Sequence, residues 1–577
     1  MEYSDVVIVG GVAAGPKTAA SLVRRRPDVR VTLFQKDRDL SYARCGLPYF
    51  ASGDVNSLQE LAATSYGIAR DSEFFRSSKG FTVVTGAEVT NIDREARIVT
   101  VRNVETGEVF AHGYGHLVLA TGAACGKPPF AVENRERVRT FQTVGDAGAF
   151  RTLAEQGKIG HAVIVGGGPV GCELAESSGG LWGIETVLIE RRSAVLPDLL
   201  DPEMAALIQR ELGRQGVDVV TGCGVRRIVS RADGLPQVVL EDGRRIDTDY
   251  VFLALGVFPC VELAEACGLD IGPTGGIVTD ERMATSDPHI YAGGDCVELR
   301  HQVTGRPTRM PMGSLANRHG RVIAENLSGR DVRYPGVLGS LLVRVFDVHV
   351  GRIGLTVDGA REAGLDPAAV WGTFGDKPDY FPEARTFALK LVYEKGARRL
   401  LGLQAVGTGD VPRRIDVFSA FLQNGGSVQD LLAFEHGYAP PYSEALDPLH
   451  HLAAMVDALD RGIDMVPPGD LTGLAEDRDV VWLDVREDEE AANEPAPDGL
   501  GRTGSGYVQI PLGKLSARCS ELDGERPVIV ICQRGPRSYQ AALILKAAGF
   551  DRVSFMAGGL EMYCVERQQE HAQIEES

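Results

Sequence analysis

At 577 residues, 44% apolar and 24% charged, the chain has the make-up of a soluble globular protein with room for three or four domains. A net charge of −19 excludes nucleic acid as a general partner, so any anionic ligand needs a local basic pocket. No run of about 18 apolar residues offers a membrane span, and the ten scattered cysteines fit a reducing cytoplasm better than a secreted disulfide scaffold.

The chain enters a strand at Asp5-Val6-Val7-Ile8-Val9, which leaves no room for a signal peptide. Residues 6–34 read as strand, glycine turn, helix and strand. Gly10, Gly11 and Gly15 mark the turn, where a diphosphate can meet backbone N–H groups at a helix start. Val12 stands where the strict fingerprint has glycine. The acidic residue expected after the second strand, to hold a ribose hydroxyl, is replaced by Gln35, followed by Lys36 and Asp37. A glutamine still hydrogen-bonds a ribose, though less strongly than a carboxylate.

The stretch Ser41-Tyr42-Ala43-Arg44-Cys45-Gly46-Leu47-Pro48-Tyr49-Phe50 follows. Gly46 lets the backbone turn and Pro48 suits the first turn of a helix. The helix start and the Arg44 charge both favour thiolate at Cys45, and thiolate is the nucleophile. Most free cysteines are small buried hydrophobes, but this one lies between two nucleotide motifs. The next cysteine is Cys125, so Cys45 has no neighbour for an internal disulfide. A lone redox thiol must bond to an external sulfur or be oxidised to sulfenic acid.

Residues 81–122 read as short strands ending in a hinge at Thr121-Gly122. A second strand–turn–helix starts at His161, with Gly166, Gly168 and Gly171 at the full fingerprint spacing and Glu190 at the distance of the ribose ligand. A carboxylate there repels a 2′-phosphate, which favours NADH, while Arg191 and Arg192 leave NADPH open. At Ile290–Asp295 an apolar strand delivers two glycines and Asp295, suited to the ribityl part of FAD. Two nucleotide folds, the second inserted in the first, suggest flavin plus nicotinamide.

From about 335 to 452 short β-like runs (LLVRVF, FALKLVY, LLGLQAVG) alternate with an apolar helix over Ile415–Leu422, the pattern of an α+β interface domain. Tyr438 lies in a proline-stiffened loop and Tyr380 in a similar surface run; by themselves both read as packing or interface residues. Residues 455–479 look like a linker. A small α/β domain follows, in which the strand Val528–Ile531 delivers Cys532-Gln533-Arg534-Gly535-Pro536-Arg537-Ser538 into a helix over Tyr539–Ala548. Successive N–H groups at that helix start, with two arginines, suit a reactive sulfur.

Together GGVAAG, SYARCGLPY, GGGPVG, YAGGD, SLANRHGR, GYAPPYSEALDP and CQRGPRS resemble the pyridine nucleotide-disulfide oxidoreductases. More narrowly, they resemble the coenzyme A-disulfide reductase and NADH-dependent persulfide reductase family with a fused rhodanese domain. The resemblance implies an α/β chain with two Rossmann-like nucleotide-binding domains, an α+β dimerisation domain and a C-terminal rhodanese-like domain. The expected spans are 1–125 and 245–330 for the FAD domain, 126–244 for the NAD(P)H domain, 331–454 for dimerisation, 455–470 for a linker and 471–577 for the rhodanese part. It implies a cytoplasmic homodimer using FAD and NADH, with the active site shared between subunits and coenzyme A bound near Cys45. Lys17, Ser21, Arg24, Ser41 and Arg44 fall in the coenzyme A pocket, with the first three at helical spacing. Asn317 and Arg318 fall in the substrate-side motif. Tyr438, and second to it Tyr380, match tyrosines that reach the partner's cysteine. Cys532 would carry sulfane sulfur, its charge offset by Arg534 and Arg537. Three positions depart from the family pattern: Arg44 replaces asparagine, Leu446 replaces lysine, and Gly506-Tyr507-Val508 replaces Gly-His-Ile.

The implied reaction is hydride transfer from NADH through FAD to Cys45, reducing coenzyme A persulfide, polysulfide or coenzyme A disulfide. One rival is an NADH oxidase or peroxidase cycling Cys45 through sulfenic acid, which the absence of histidine from the first glycine turn disfavours. Another is a non-catalytic sulfur carrier or sensor.

Overall fold

The computed structural model describes residues 1–133, 135–471, 479–497, 500 and 506–565. It divides into two compact units, residues 1–193 with 215–337, and residues 194–214 with 338–577.

The first unit holds two nucleotide-type sheets. Strand Glu2–Val9 pairs in parallel with Val31–Gln35 on one side and Val109–Leu119 on the other. Ile290–Ala292 returns from far along the chain and pairs in parallel with Val109–Leu119, at Ile290↔Leu117. Val6, Val7, Ile8 and Val9 are all buried, the continuous apolar run of a strand covered on both faces. Each such side chain stabilises by about 1.5–3 kcal/mol. The second sheet is parallel throughout, in the order 217–221, 185–190, 161–165, 250–253 and 138–140.

The second unit holds an antiparallel five-stranded sheet in the order 341–345, 348–354, 400–407, 386–394 and 367–375, with helix Val411–Gln423 packed on it. It also holds a five-stranded parallel sheet in the order 464–466, 553–556, 528–531, 481–484 and 507–509. Trp482, Ile529, Ile531 and Met556 centre the core of the latter. Residues 455–470, read as a linker, carry structure: helix Pro448–Asp460 runs into them, and Asp464–Val466 is the edge strand of the parallel sheet. The rest of the expected linker, residues 472–478, lies outside the described residues.

The segment 194–214 carries helix Pro202–Arg214 and joins the second unit through a buried charge cluster. Lys390 meets Asp201 at 2.6 Å and also Glu203, while Gln404 Nε2 donates to Asp201 at 2.8 Å. Among the described residues no helix is long and apolar enough to cross a membrane.

Candidate functional sites: two dinucleotide turns and two sulfurs

The two glycine turns are steric copies of each other. Gly10 has φ +110°, and a Cβ there would lie 2.1 Å from the Ala120 carbonyl oxygen; a Cβ on Gly15 would lie 1.9 Å from Gly10 O. Gly166 and Gly171 repeat this, with φ +113° and a Cβ 1.9 Å from Gly166 O. Only glycine fits these places. A Cβ on Gly168 would meet nothing of the protein within 4 Å, so its bareness leaves room for a ligand. Helices Ala14–Arg25 and Pro169–Glu176 start from these turns.

Glu190 Oε2 accepts the Gly167 N–H at 2.8 Å and Oε1 accepts Arg192 N–H at 2.9 Å. A carboxylate has about four acceptor positions, so both ribose hydroxyls can still be taken. Gln35 does the same work at the first turn, accepting Gly11 N–H at 2.7 Å through Oε1. Lys36 is paired with Glu88 at 2.9 Å. Thr121 donates to Cys260 O at 2.6 Å, which fixes the hinge before Gly122 (φ +72°). Asp295 follows Gly294, whose Cβ position is 3.3 Å from Ala14 Cβ, so it stands beside the first helix start. Burial pushes its carboxyl up, with the Arg44 charge opposing. Two bare turns, each with an acceptor at the next strand end, fit two dinucleotides.

Cys45 is exposed. It lies in the 3-10 turn Arg44–Gly46, which leads into helix Leu47–Ser52 with Pro48 in its first turn. The helix itself is firmly held. Its carbonyls accept from Ser177 (Pro48 O, 3.0 Å), Trp182 (Ala51 O, 2.7 Å) and Arg151 (Phe50 O, 3.0 Å). At the other end Ser41, with φ +46°, donates its N–H to Gly11 O at 2.9 Å, joining the cysteine loop to the first glycine turn. Lys17, Ser21 and Arg24 share one helix face: Ser21 is buried, and Arg24 donates to its hydroxyl at 3.3 Å. Helix Gly313–Leu327 crosses close to this one, with a Cβ on Gly320 placed 2.6 Å from Ala14 O and 3.0 Å from Lys17 Cβ. It brings Asn317 and Arg318, both exposed, to the neighbourhood of Lys17. Arg44 points elsewhere, to the carbonyls of Gln142 and Ala123.

In the second unit Tyr380 and Tyr438 are 73% and 52% exposed. Tyr380 tops a loop whose neck is closed by Asp376 N–H to Arg385 O and Arg385 N–H to the Asp376 carboxylate, both 2.9 Å. The loop after Gly437 is braced by Arg413 and by Ser443, which both donate to Gly437 O.

Cys532 is wholly buried. Gly535 N–H donates to its sulfur at 3.1 Å, and Ser538 Oγ lies 3.2 Å away while itself donating to Gly535 O. Gly535 has φ +105°, which bends the loop so that its N–H faces inward. Arg537 forms a two-pronged pair with Glu490, 2.7 Å at one prong. Arg534 turns away from the sulfur to Asp379 at 3.3 Å and Glu561 at 3.8 Å. Its carbonyl accepts Thr373 N–H at 3.0 Å. A cavity of about 410 Å³ opens there, lined by Asp379, Tyr380, Phe381, Pro382, Arg385 and Arg534 among others.

Sequence reasoning passed over the support of this loop. Arg486 is buried against Asp484 at 2.8 Å and reaches Gln533, the residue after the sulfur. Tyr507, standing where rhodaneses usually have histidine, donates to Asp484 Oδ2 at 2.6 Å. The departure is therefore filled by a hydroxyl that meets the buried carboxylate. The charged pair Asp484 and Arg486, two residues apart at a strand end, was the available signal.

The chain matches the family model for pyridine nucleotide-disulphide oxidoreductases over residues 4–316, that family's dimerisation domain over 342–450, and a rhodanese-like domain over 467–566. It is similar to the NAD-dependent persulfide reductase of A. fulgidus, at 38% identity and TM-score 0.90, covering 96% of this chain and 99% of that one. The reduced CoADR-RHD protein of Bacillus anthracis shares 30% identity at TM-score 0.89, with 99% of each chain covered. The NAD(P)H coenzyme A polysulfide/persulfide reductase of Pyrococcus horikoshii is 33% identical over 453 residues, 78% of this chain and 98% of the relative.

Proposed function

The chain belongs to the pyridine nucleotide-disulphide oxidoreductase family, and on that premise we propose that it is a cytoplasmic, homodimeric reductase of coenzyme A persulfide, polysulfide or coenzyme A disulfide, driven by NADH. The observation that carries this reading is Cys45: an exposed thiol in the turn that leads into a firmly held helix, one loop away from a dinucleotide turn. FAD, when bound at the first turn, supplies the two-electron relay between nicotinamide and sulfur. Glu190 holds the ribose of NADH and disfavours a 2′-phosphate.

The chain's own groups then act on sulfur. Cys45, as thiolate, attacks the carbon-bearing sulfur of a persulfide; hydrogen sulfide leaves and Cys45 is left in a mixed disulfide with coenzyme A. Two electrons from NADH reopen that bond. One NADH and one proton are consumed per S–S bond cleaved, giving one thiol and one hydrogen sulfide. Lys17, Ser21, Arg24 and Ser41, with Asn317 and Arg318 nearby, hold the coenzyme A part through its phosphates. Tyr438 and Tyr380, exposed on the dimerisation domain, reach the partner's Cys45 and donate hydrogen bonds to the leaving sulfur. Cys532 accepts and hands on sulfane sulfur, held by Gly535 N–H with Arg537 close by.

The test combines mass and turnover. Intact mass before and after reductant should fall by one coenzyme A, and NADH oxidation should release sulfide from coenzyme A persulfide. Turnover with peroxide but none with persulfide would overturn the reading in favour of a peroxidase.

A further inference from the structure

Arg44 flanks the redox thiol, where a cation is naturally read as serving the sulfur or its substrate. Its guanidinium faces the other way. Nε donates to Gln142 O at 3.0 Å and Nη1 to Ala123 O at 3.3 Å. These two carbonyls are themselves tied together: Gln142 Nε2 donates to Ala123 O at 2.8 Å, and its Oε1 accepts Cys125 N–H at 2.8 Å. Ala123 lies three residues beyond Ala120, the residue that closes on Gly10. Ser41, three residues before Arg44, is bonded to Gly11. The cysteine loop, the hinge and the first glycine turn therefore form one ring, with Arg44 as its only arginine.

The electrostatics agree with this geometry. Burial raises Asp295, Cys125 and Cys260, and in each the Arg44 charge opposes the rise. Asp295 stands beside the start of helix Ala14–Arg25. Of the other cations near the turn, Lys36 is paired with Glu88, and Lys17 lies a turn along the helix. The turn residues themselves carry no charge, and Val12 stands where the second turn has a bare glycine. A dinucleotide brings two negative charges to a helix start whose partial charge is about half a unit.

We propose that Arg44 is a cofactor-binding residue of the first lobe, the cation for the FAD diphosphate, and that it fastens the Cys45 loop to that cofactor's site. This rests on the reading that FAD occupies the first turn. A guanidinium already oriented by two carbonyls keeps donors for a phosphate without further ordering.

The experiment measures FAD content per chain as purified and the Kd for FAD re-added to the stripped protein, for wild type, Arg44→Asn and Arg44→Lys. Loss of a charge-assisted contact weakens binding about tenfold or more, so Arg44→Asn should emerge depleted of flavin, with Arg44→Lys between it and wild type. NADH binding at the second glycine turn, which lies in the same unit as Arg44, reports that this unit is folded in each variant. After saturation with FAD, the KM of Arg44→Asn for coenzyme A persulfide separates a cofactor role from a substrate role. Wild-type FAD affinity in both variants overturns the proposal, and a raised KM at full flavin returns Arg44 to the substrate pocket. If wild type binds no FAD, the parent reading falls instead, a distinct result.

Discussion

The molecule carries two candidate reactive sulfurs, built in opposite ways. Cys45 is exposed at the head of a short helix, and its surroundings hold the helix rather than the sulfur. Cys532 is wholly buried, and its surroundings hold the sulfur itself, through Gly535 N–H at 3.1 Å. A thiol whose partner must diffuse in needs an open face. A sulfur that carries a labile cargo gains from a closed one, because water and stray thiols are kept off. The contrast is the one the proposed division of labour calls for, exchange at one site and storage at the other.

The sharpest way to break that division is to remove each sulfur in turn. Cys45→Ser should lower NADH-driven sulfide release by three orders of magnitude or more, since removing a nucleophile costs on the order of 10⁴ to 10⁶ in rate. It should leave sulfur transfer from thiosulfate to cyanide at Cys532 intact. Cys532→Ser should do the reverse when coenzyme A persulfide is supplied directly. If Cys45→Ser keeps full sulfide release, Cys45 is not the exchange site.

Acid should probe the first unit next. His319 lies beneath the first dinucleotide turn, its Nδ1 accepting Gly294 N–H at 3.2 Å, and Nε2 finds no partner among the described residues. Burial, with the Arg318 charge adding to it, pushes it down to about 4 from 6.5. Burial lowers His112 and His116 in the same unit as well. Because the folded value lies below the unfolded one, the unfolded chain takes the proton first. Stability is therefore complete above pH 6.5 and drains away as pH falls toward 4. The His319 share is about 3 kcal/mol at most. Melting followed from pH 8 to 4.5 should show His319→Gln losing less than wild type across this window. Parallel pH profiles would refute the role given to His319.

On the rhodanese side the matching probe is Tyr507. Its hydroxyl donates at 2.6 Å to Asp484, which is fully buried, and burial and that bond both push the phenol up, so it stays a donor at ordinary pH. Tyr507→Phe takes one donor from a buried carboxylate and should destabilise this domain by about 1.5–3 kcal/mol. Tyr507→His, which restores a donor, should stay nearer wild type. Flavin-side turnover is the control in both. Equal melting of the Phe variant and wild type would show that Arg486 alone satisfies Asp484.

What was legible in the sequence follows a physical line. The two glycine turns could be read because their need for glycine is steric and local: Gly10 and Gly15 clash within six residues of each other or with the adjoining strand. The strand–loop–helix around Cys532 was legible for the same reason. The membership of residues 194–214 was not, because the pairing of Lys390 with Asp201 and Glu203 spans about a third of the chain between residues with no local pattern. Strands Val348–Gly354 and Pro367–Gly375 escaped because glycines and prolines interrupt their alternation. The aim of a long cationic side chain is the least readable property of all. Arg44 and Arg534 both sit within two residues of a cysteine in sequence, and both turn from it in space, toward carbonyls in one case and carboxylates in the other.

That last fact sets the mildest test of the contrast. Arg534 joins the storage loop to the loop that carries Tyr380, through Asp379 at 3.3 Å, in a pair whose members are 37% and 77% exposed. An exposed ion pair contributes less than about 1 kcal/mol, so Asp379→Asn should scarcely move the melting temperature. The backbone bond from Thr373 N–H to Arg534 O remains, and the loop stays docked. A change is expected in geometry rather than in stability. With Asp379 neutral, Arg534 keeps only Glu561, and the cavity beside Tyr380 loses its negative wall. The KM of Cys532 for an anionic donor such as thiosulfate should then fall by about twofold to fivefold, with kcat little changed and the effect shrinking at high salt. An unchanged KM at low salt would mean that the cavity is not the approach to Cys532, and that the buried sulfur is loaded from another side.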